Sequence, residues 1–331
     1  MSPSFYLNIC FQEALKGIPY ASPNPLVGAV LVKNGKIIGL GHHEKCGENH
    51  AEVNAIKNAT EDVAGATLYC SLEPCCHTNK RTPPCTELII KSRISTVIVS
   101  NLDPNPEVSG KGLKILEMSG IKVEFEEERE KGEDINEVFF KYIKNKIPFV
   151  HLKWAQSLDA KLCTDQYDSK WITNEESREY AHYLRYRYDA VLIGKNTFVQ
   201  DAPNLSPRGK WAKEIKKIVV GNFSPDEIDA MSNKSFIAIN TKGKKLSTSA
   251  ILQQIGALGI SSVLVEGGPA TLNQFLNETT YDKVTTFIAP IFIGNGPSYF
   301  ESHFSKIADA ISLKNVTHKS FGNNLVIEGS K

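Results

Sequence analysis

Apolar and polar positions along the first half of the chain alternate between helical and strand spacing. Apolar residues at helical spacing over 4–16 predict a first helix that ends at Gly17. Two apolar runs, VGAVLV and KIIGLG, are joined by Asn34-Gly35, a pair typical of a tight hairpin turn. Further helices are predicted over 51–58, 85–92, 110–120 and 126–144, and strands over 67–72, 95–100 and 122–126. This alternation favours an α/β fold whose sheet is covered on both faces.

The second half repeats the alternation after a short polar junction at 145–148. Strands are predicted over 149–155, 190–194, 217–221, 235–240, 262–268 and 283–294, with a final pair within 311–329. Helices are predicted over 175–188 and 248–257, with others after 194 and after Pro269. The pattern predicts two α/β domains, residues 1–146 and 147–331, which suits a chain of 331 residues.

Composition excludes several classes of function. The 38 basic and 37 acidic residues give a net charge of +1, so no basic face is available for long nucleic acid. No run approaches the ~20 apolar residues of a membrane span, and we find no apolar signal segment. We therefore expect a cytoplasmic protein with neither nucleic-acid nor membrane partners. Four of the seven cysteines lie within sixteen positions, which in a reducing compartment favours metal ligation over disulfides.

A histidine before this cysteine-rich stretch and two of its cysteines have the chemistry of a catalytic zinc site. His50, Cys75 and Cys85 offer one imidazole and two thiolates, and three protein ligands leave the fourth tetrahedral position for water. Zinc would make hydroxide available from that water near pH 7, and Glu52 would carry its proton. The pattern is typical of zinc deaminases that act on amino-substituted pyrimidine or purine rings. A closed structural site with Cys76 as a fourth ligand is the alternative, but it has no use for Glu52.

Five segments of the first half carry a more specific signal: SPNPLVGAV, the glycine–histidine segment Gly39–His43, HAE, LEPC and RTPPC. Together they resemble the deaminase domain of the bifunctional riboflavin-biosynthesis deaminase/reductases. The resemblance implies a cytidine-deaminase-like, three-layer α/β/α domain. It also implies zinc ligation by His50, Cys75 and Cys85, a proton shuttle at Glu52, a pyrimidine contact at Asn24, and ribose-phosphate contacts at His43 and Arg81.

The second zinc ligand is a choice between two neighbouring cysteines. Nine residues separate Cys75 from Cys85, one more than is usual in the family, so counting back from Cys85 reaches Cys76. We assign Cys75 because it directly follows Leu72-Glu73-Pro74. The extra residue then falls in the Asn79-Lys80 loop, where an insertion costs little.

The second half resembles the reductase domain of the same family. The resemblance rests on SLDAK, DSKWIT, the Gly194–Arg208 segment, VEGGP and IAPIFIG, and it implies a dihydrofolate-reductase-like α/β fold with NADPH. The implied cofactor contacts are Ala155, Trp171, Thr197, Asp201, Asn222 and the turn Gly268, Pro269, Ala270, Thr271, Leu272, Asn273 and Gln274. The implied substrate contacts are Ser169, Arg185, Leu205, Arg208 and Glu266, with Lys153 and Asp201 close to the reacting ribose carbon.

Physical chemistry supports parts of this set. The two arginines have forked donors suited to a phosphomonoester. A strand that runs into a Gly-rich turn and a helix lets backbone N–H groups approach phosphates. Ala160, Asn222 and Ile291 depart from the family pattern, which leaves the Asn222 contact open.

These features predict a bifunctional enzyme of riboflavin biosynthesis that acts on small phosphoribosyl pyrimidines. Zinc hydroxide would deaminate 2,5-diamino-6-(5-phosphoribosylamino)pyrimidin-4-one, and NADPH would then reduce the ribosyl group to ribityl, giving 5-amino-6-(5-phosphoribitylamino)uracil. The resemblance also implies a homo-oligomer, a dimer or tetramer. Two alternatives are a deaminase with an inactive or accessory C-terminal domain and a nucleic-acid-editing deaminase, against which the neutral charge argues.

Overall fold

Two separate β-sheets organise the chain. The structure is a computed structural model that describes residues 1–77, 83–106, 108–125, 128–166, 168–298, 300 and 304–331. The chain divides into two compact units, Met1–Lys146 and Ile147–Lys331, and each has its own sheet and core. None of the helices in the described ranges is long and apolar enough to cross a membrane.

The first unit is a five-stranded mixed sheet with helices on both faces. Its helices are α1 (Pro3–Leu15), α2 (Ala51–Lys57), α3 (Cys85–Lys91), α4 (Lys111–Met118), α5 (Arg129–Ile135) and α6 (Glu137–Asn145). Its strands are β1 (Gly28–Lys33), β2 (Lys36–His42), β3 (Thr67–Cys70), β4 (Thr96–Val99) and β5 (Lys122–Phe125). The strand order is β2-β1-β3-β4-β5; β1 is antiparallel to β2 and β3, while β3, β4 and β5 are parallel.

The predicted hairpin is confirmed, and a glycine in its second strand lets a helix pack closely against the sheet. Asn34 and Gly35 take the positive φ angles, 51° and 76°, of a tight two-residue turn. A Cβ on Gly41 of β2 would lie 2.2 Å from the backbone nitrogen of Ala55 in α2. Glycine at this position therefore lets α2 pack against β2, and His50 lies at the N-cap of that helix.

The predicted helix over 126–144 is instead two helices, α5 and α6, which meet at Asn136. The buried side chain of Asn136 accepts from the Leu26 N–H at 2.8 Å and donates to the Leu26 carbonyl at 2.9 Å. Since Asn136 bonds to a distant loop through its amide, it fixes the chain where the helix direction changes. This long-range contact has no local sequence signature.

The second unit is an eight-stranded sheet with a parallel centre. Its strands are β6 (Phe149–Ser157), β7 (Ala190–Gly194), β8 (Lys216–Gly221), β9 (Phe236–Asn240), β10 (Ser262–Val265), β11 (Lys283–Ala289), β12 (Lys314–Phe321) and β13 (Asn324–Ser330). Its helices are α7 (Glu175–Arg187), α8 (Lys195–Asp201), α9 (Pro225–Ser232), α10 (Thr248–Ala257) and α11 (Pro269–Asn277). The order is β12-β13-β11-β6-β10-β7-β8-β9; in the described part of the sheet, β13 is antiparallel to both β11 and β12, and the other pairs are parallel.

Two elements of this unit differ from the prediction. The α9 helix was not predicted, although Ser224 and Glu227 form a reciprocal capping box around Pro225 at its first position. Strand β11 ends at Ala289 rather than at residue 294 because Pro290 has no N–H with which to extend a ladder.

Candidate active sites

The predicted metal-ligating residues come together at the start of two helices. His50 is the N-cap residue of α2, and Cys85 is the first residue of α3. The Sγ atoms of Cys75 and Cys85 each lie 3.4 Å from His50 Nδ1, and all three atoms lie within 4.8 Å of one another. The Cys85 N–H also donates to Cys75 Sγ at 3.4 Å. Among the described residues, Cys76 does not belong to this cluster of possible metal ligands.

The donor set and its spacing fit zinc. Zinc bonds of about 2.3 Å to sulfur and about 2.0 Å to nitrogen at a tetrahedral angle hold the two atoms about 3.6 Å apart. The observed sulfur–nitrogen separations of 3.4 Å are close to this value. One imidazole and two thiols also leave one tetrahedral position for another ligand.

Glu52 lies beside this cluster in a cavity of about 480 Å³. It is only 3% exposed, and it lines the cavity together with His50 and Cys75. Burial raises the pKa of the Glu52 carboxyl, and the Cys75 thiol adds to the effect. A buried carboxyl group at the wall of a cavity can accept and return a proton.

Asn24 and His43 form a fixed pair on the cavity wall. His43 Nδ1 lies 2.9 Å from the Asn49 carbonyl, which can only accept, so Nδ1 carries the proton. His43 Nε2 lies 3.0 Å from the amide nitrogen of Asn24 and accepts from it. Burial lowers the pKa of His43, consistent with a neutral ring. The amide oxygen of Asn24 is thereby left to accept from a ligand.

Sequence reasoning gave no role to Glu73, although it belongs to the LEPC segment. Its buried carboxylate accepts from the N–H groups of Gly110 at 2.9 Å and Gly112 at 3.0 Å, at the beginning of α4. These bonds hold the segment that carries Cys75 against α4. Arg81, predicted near the ribose phosphate, lies outside the described residues.

A second and larger cavity, of about 1380 Å³, lies in the C-terminal unit. That volume exceeds the ~300–1,000 Å³ usual for one small ligand, so it has room for a cofactor and a substrate. Most of the side chains predicted for NADPH and substrate line it: Lys153, Ala155, Ser169, Trp171, Arg185, Thr197, Asp201, Leu205, Arg208, Asn222, Glu266, Gly268, Pro269, Ala270 and Thr271.

Three predicted cofactor residues do not line this cavity. Leu272 is fully buried in the core of the unit. The amide of Gln274 donates to the Leu246 carbonyl at 2.6 Å and to Glu278 at 2.9 Å, and Asn273 is not part of the lining. The turn of α11 faces the cavity only through its first residues, because successive positions rotate away around a helix.

Two strand-to-helix turns form a narrow cradle in this cavity. The Gly268 N–H donates to Thr197 Oγ1 at 3.0 Å, which joins the start of α11 to α8. A Cβ on Gly194 would lie 2.5 Å from Thr271 Oγ1, so the two turns meet closely only because this position is glycine. At the start of α11, Pro269 has no N–H, so the N–H groups of Ala270 and Thr271 and the positive end of the helix dipole are the features that suit a phosphate of the cofactor.

Glu266 is held between two cations. Its carboxylate accepts two bonds from Arg185, at 2.6 and 2.9 Å, and lies 3.5 Å from Lys153 Nζ. Burial alone would raise the pKa of Glu266, but the charges of Arg185 and Lys153 lower it to about 2. Burial in turn lowers the pKa of Lys153. Glu266 therefore stays ionised and orders both cations beside the cavity.

Three residues depart from the family pattern, and the structure shows the conformation or surroundings of each. Ala160 has a φ of 60°, a left-handed conformation that costs a non-glycine residue about 1 kcal/mol, which explains why glycine is usual there. Asn222 lines the cavity, but its Oδ1 accepts from the Gly243 N–H at 2.9 Å. Ile291 is partly exposed and carries no polar group.

Comparison with known proteins identifies the family. Residues 2–101 match the cytidine and deoxycytidylate deaminase zinc-binding region, and residues 148–327 match the RibD C-terminal domain. The chain is 40% identical over 346 residues to the riboflavin biosynthesis protein RibD of Aquifex aeolicus, covering 97% of this chain and 96% of that protein. The chain belongs to the RibD family. RibD of Escherichia coli is 30% identical over 332 residues, which is 89% of each chain.

Solved RibD structures have the same fold over nearly the whole chain. RibD of Acinetobacter baumannii is 28% identical, has a TM-score of 0.90 and covers 99% of both chains. A diaminohydroxyphosphoribosylaminopyrimidine deaminase/5-amino-6-(5-phosphoribosylamino)uracil reductase of Thermotoga maritima is 33% identical, has a TM-score of 0.89 and covers 99% of this chain and 98% of that one. The predicted fold class is confirmed.

Membership in the RibD family also confirms the predicted activities and cofactors. The protein is a bifunctional deaminase and reductase of riboflavin biosynthesis, with zinc serving the deaminase and NADPH the reductase. In this chain, one cavity holds the imidazole–thiol cluster and the other is lined by most of the side chains predicted for NADPH and substrate.

Replacement of Glu266 by glutamine should destabilise the C-terminal unit by about 3 kcal/mol, because it leaves Arg185 and Lys153 buried without a counter-charge. Urea unfolding followed by tryptophan fluorescence reports on this unit alone, since Trp154, Trp171 and Trp211 all belong to it.

The pH dependence and a matched variant provide the controls. The folded-state pKa of Glu266 is below its unfolded value, so its contribution is complete above about pH 5 and declines as the pH falls toward 2. Glu179→Gln, which removes only a surface pair with Lys210, should cost less than about 1 kcal/mol. Equal losses in the two variants would contradict a special role for Glu266.

Proposed function

We propose that the N-terminal unit, residues 1–146, deaminates 2,5-diamino-6-(5-phosphoribosylamino)pyrimidin-4-one, and that the C-terminal unit, residues 147–331, reduces the ribosyl group of the product to ribityl. The end product is 5-amino-6-(5-phosphoribitylamino)uracil. The observation that carries the proposal is the cluster of His50, Cys75 and Cys85 beside buried Glu52 in one cavity. The name of the Thermotoga maritima relative specifies the same two reactions for that protein.

In the deaminase, we assign His50, Cys75 and Cys85 as the zinc ligands. When bound, zinc supplies a Lewis acid that makes water acidic enough to ionise near pH 7. Glu52 takes one proton from the water and delivers it to the ring nitrogen. It then takes the remaining hydroxyl proton and delivers it to the amino group, which departs as ammonia. Asn24 accepts from the pyrimidine through its free amide oxygen, and His43 keeps that amide in position.

In the reductase, we assign the cofactor to the cradle between α8 and α11. The contacts are Ala155, Trp171, Thr197, Asp201, Asn222 and the four residues Gly268 to Thr271. NADPH supplies the hydride when bound. Ser169, Arg185, Leu205, Arg208 and Glu266 bind the substrate, and Lys153 and Asp201 adjoin the reacting ribose carbon.

The full chain, loaded with zinc, tests the proposal directly. Incubation with the diaminopyrimidine should release one ammonia per substrate, and NADPH should be oxidised only after that release. Deamination without NADPH oxidation, even when the deaminated pyrimidine is supplied, would favour a deaminase with an accessory C-terminal unit.

Replacement of Arg208 by alanine should raise the reductase KM for the deaminated pyrimidine about tenfold or more, since a charged donor to phosphate is lost. Arg208 is exposed at the cavity rim, so little structure depends on it. Ammonia release should be unchanged. A parallel loss of both activities would argue against two independent sites.

We also propose a cytoplasmic homo-oligomer, a dimer or tetramer. The thiol ligands Cys75 and Cys85 need a reducing compartment to remain available for zinc. Strand β12 is an edge strand whose side chains are almost all exposed, and such edges are suited to pairing or to cover by a second subunit. Sedimentation equilibrium of the full chain would reveal a single 36.6 kDa species if the assembly is absent.

A further inference from the structure

His182 occupies the reductase cavity on the inner face of α7. It lies one helical turn before Arg185, and residues three apart share a face of a helix. Both side chains line the cavity. Sequence reasoning gave His182 no role, because a histidine within a polar helix has no local signature.

The imidazole of His182 has a nitrogen that the described part of the protein does not satisfy. Its Nδ1 is buried and has no hydrogen-bond partner among the described residues. An unpaired N–H at this buried position would cost about 1–3 kcal/mol, so Nδ1 is left unprotonated and the neutral ring carries its proton on Nε2. Because Nδ1 has no accessible surface, Nε2 is the nitrogen that can donate to a molecule bound in the cavity.

The surrounding charge selects an anionic group for that bond. The described lining of the cavity holds six basic side chains and two carboxylates: Lys153, Lys170, Arg178, Arg185, Lys195 and Arg208, with Asp201 and Glu266. Glu266 is committed to Arg185 and Lys153 through the bonds described above. Of the other cations, Arg208 forms no ion pair with a described residue, so its charge is available to a ligand.

The positive charges of Arg185 and Arg208 act on His182. Burial lowers its pKa, and the charges of Arg185 and Arg208 lower it further. A neighbour that repels added positive charge attracts an anion. A phosphomonoester is the anion that a phosphoribosyl substrate brings.

We propose that His182 is a substrate-binding residue of the reductase, which donates a hydrogen bond to the phosphomonoester next to Arg208. This inference rests on the proposed reduction of a phosphoribosyl pyrimidine. Arg185 has two of its donors bound to Glu266, so His182 replaces part of the phosphate recognition that the sequence assigned to Arg185. The cofactor phosphates are bound elsewhere, at the cradle of α8 and α11.

Kinetics of the full-length His182→Ala variant test the proposal. The reductase KM for the deaminated phosphoribosyl pyrimidine should rise about tenfold, the effect of losing one good hydrogen bond to a charged group. The KM for NADPH and the rate of ammonia release should stay at the wild-type values. His182→Gln, whose amide retains a donor at similar reach, should restore the KM to within about threefold.

Glu179→Gln is the matched control, because Glu179 lies on the same helix but is exposed and bonds only to surface Lys210. It should leave every constant unchanged. An unchanged substrate KM in His182→Ala would overturn the proposal. A rise confined to the KM for NADPH would also overturn it, because His182 would then serve the cofactor.

A second measurement does not depend on turnover. Inorganic phosphate should raise the unfolding temperature of the wild-type C-terminal unit, followed by tryptophan fluorescence, and the shift should be smaller in His182→Ala than in Glu179→Gln. Equal shifts would contradict the proposal. A wild-type protein that binds phosphate in a His182-dependent manner but does not reduce the pyrimidine would refute the proposed reaction and not the phosphate site.

Discussion

Replacement of Glu52 by glutamine is expected to reduce ammonia release by a factor of about 10² to 10⁴ while leaving the zinc content unchanged. Glutamine has nearly the same shape as glutamate, and Glu52 is not one of the three assigned ligands. What the variant loses is the ability to accept and return a proton. The measurement is ammonia release together with metal content after dialysis.

Two controls isolate this effect. Glu44→Gln removes a carboxylate from the exposed loop that precedes α2, and it should deaminate at the wild-type rate. The Glu52→Gln protein should still oxidise NADPH when the deaminated pyrimidine is supplied, because that reaction belongs to the other cavity. Normal ammonia release in Glu52→Gln would mean that another group carries the proton.

Replacement of Cys75 by serine is expected to weaken zinc binding by at least a hundredfold and to remove deamination with it. A hydroxyl is a poor substitute for a thiolate, and even indirect partners of a zinc ligand affect affinity by about 10–100-fold. Cys75 Sγ is 3.4 Å from His50 Nδ1 and receives the Cys85 N–H, so its loss breaks the centre of the cluster.

Cys76→Ser is the matched control, since it makes the same chemical change at the adjacent position. It should retain zinc and activity, whereas Cys85→Ser should lose zinc as Cys75→Ser does. Metal content by atomic absorption measures all three. Zinc loss in Cys76→Ser but not in Cys75→Ser would mean that Cys76 is the second ligand. The extra residue would then lie before this ligand and not in the Asn79-Lys80 loop.

Much of the fold was predictable because its signals are local. The hairpin follows from Asn34-Gly35, which tolerate the left-handed backbone of the turn, and the helix at residue 51 follows from its apolar spacing. The break between α5 and α6 was not predictable, because the side chain of Asn136 bonds to Leu26, which is 110 residues away in the chain.

The candidate sites, like the fold, were predictable from the sequence only in part. His50, Cys75 and Cys85 were predictable as candidate zinc ligands from the sequence, since zinc prefers imidazole and thiolate. The commitment of Arg185 to Glu266 was not, because it depends on strand β10 and helix α7 meeting across the cavity. The same packing encloses Nδ1 of the partly buried His182 beside those charges and places Leu272 in the core.

The sequence by itself indicated the chemistry of this protein: a candidate set of zinc ligands with a nearby carboxylate, two α/β units, and a resemblance to the family to which the chain belongs. Only the tertiary structure decided that Cys75 rather than Cys76 joins His50 and Cys85, and which polar groups are already paired. The physical reason is that residue type fixes what a group can bind, whereas distance and burial fix what it does bind.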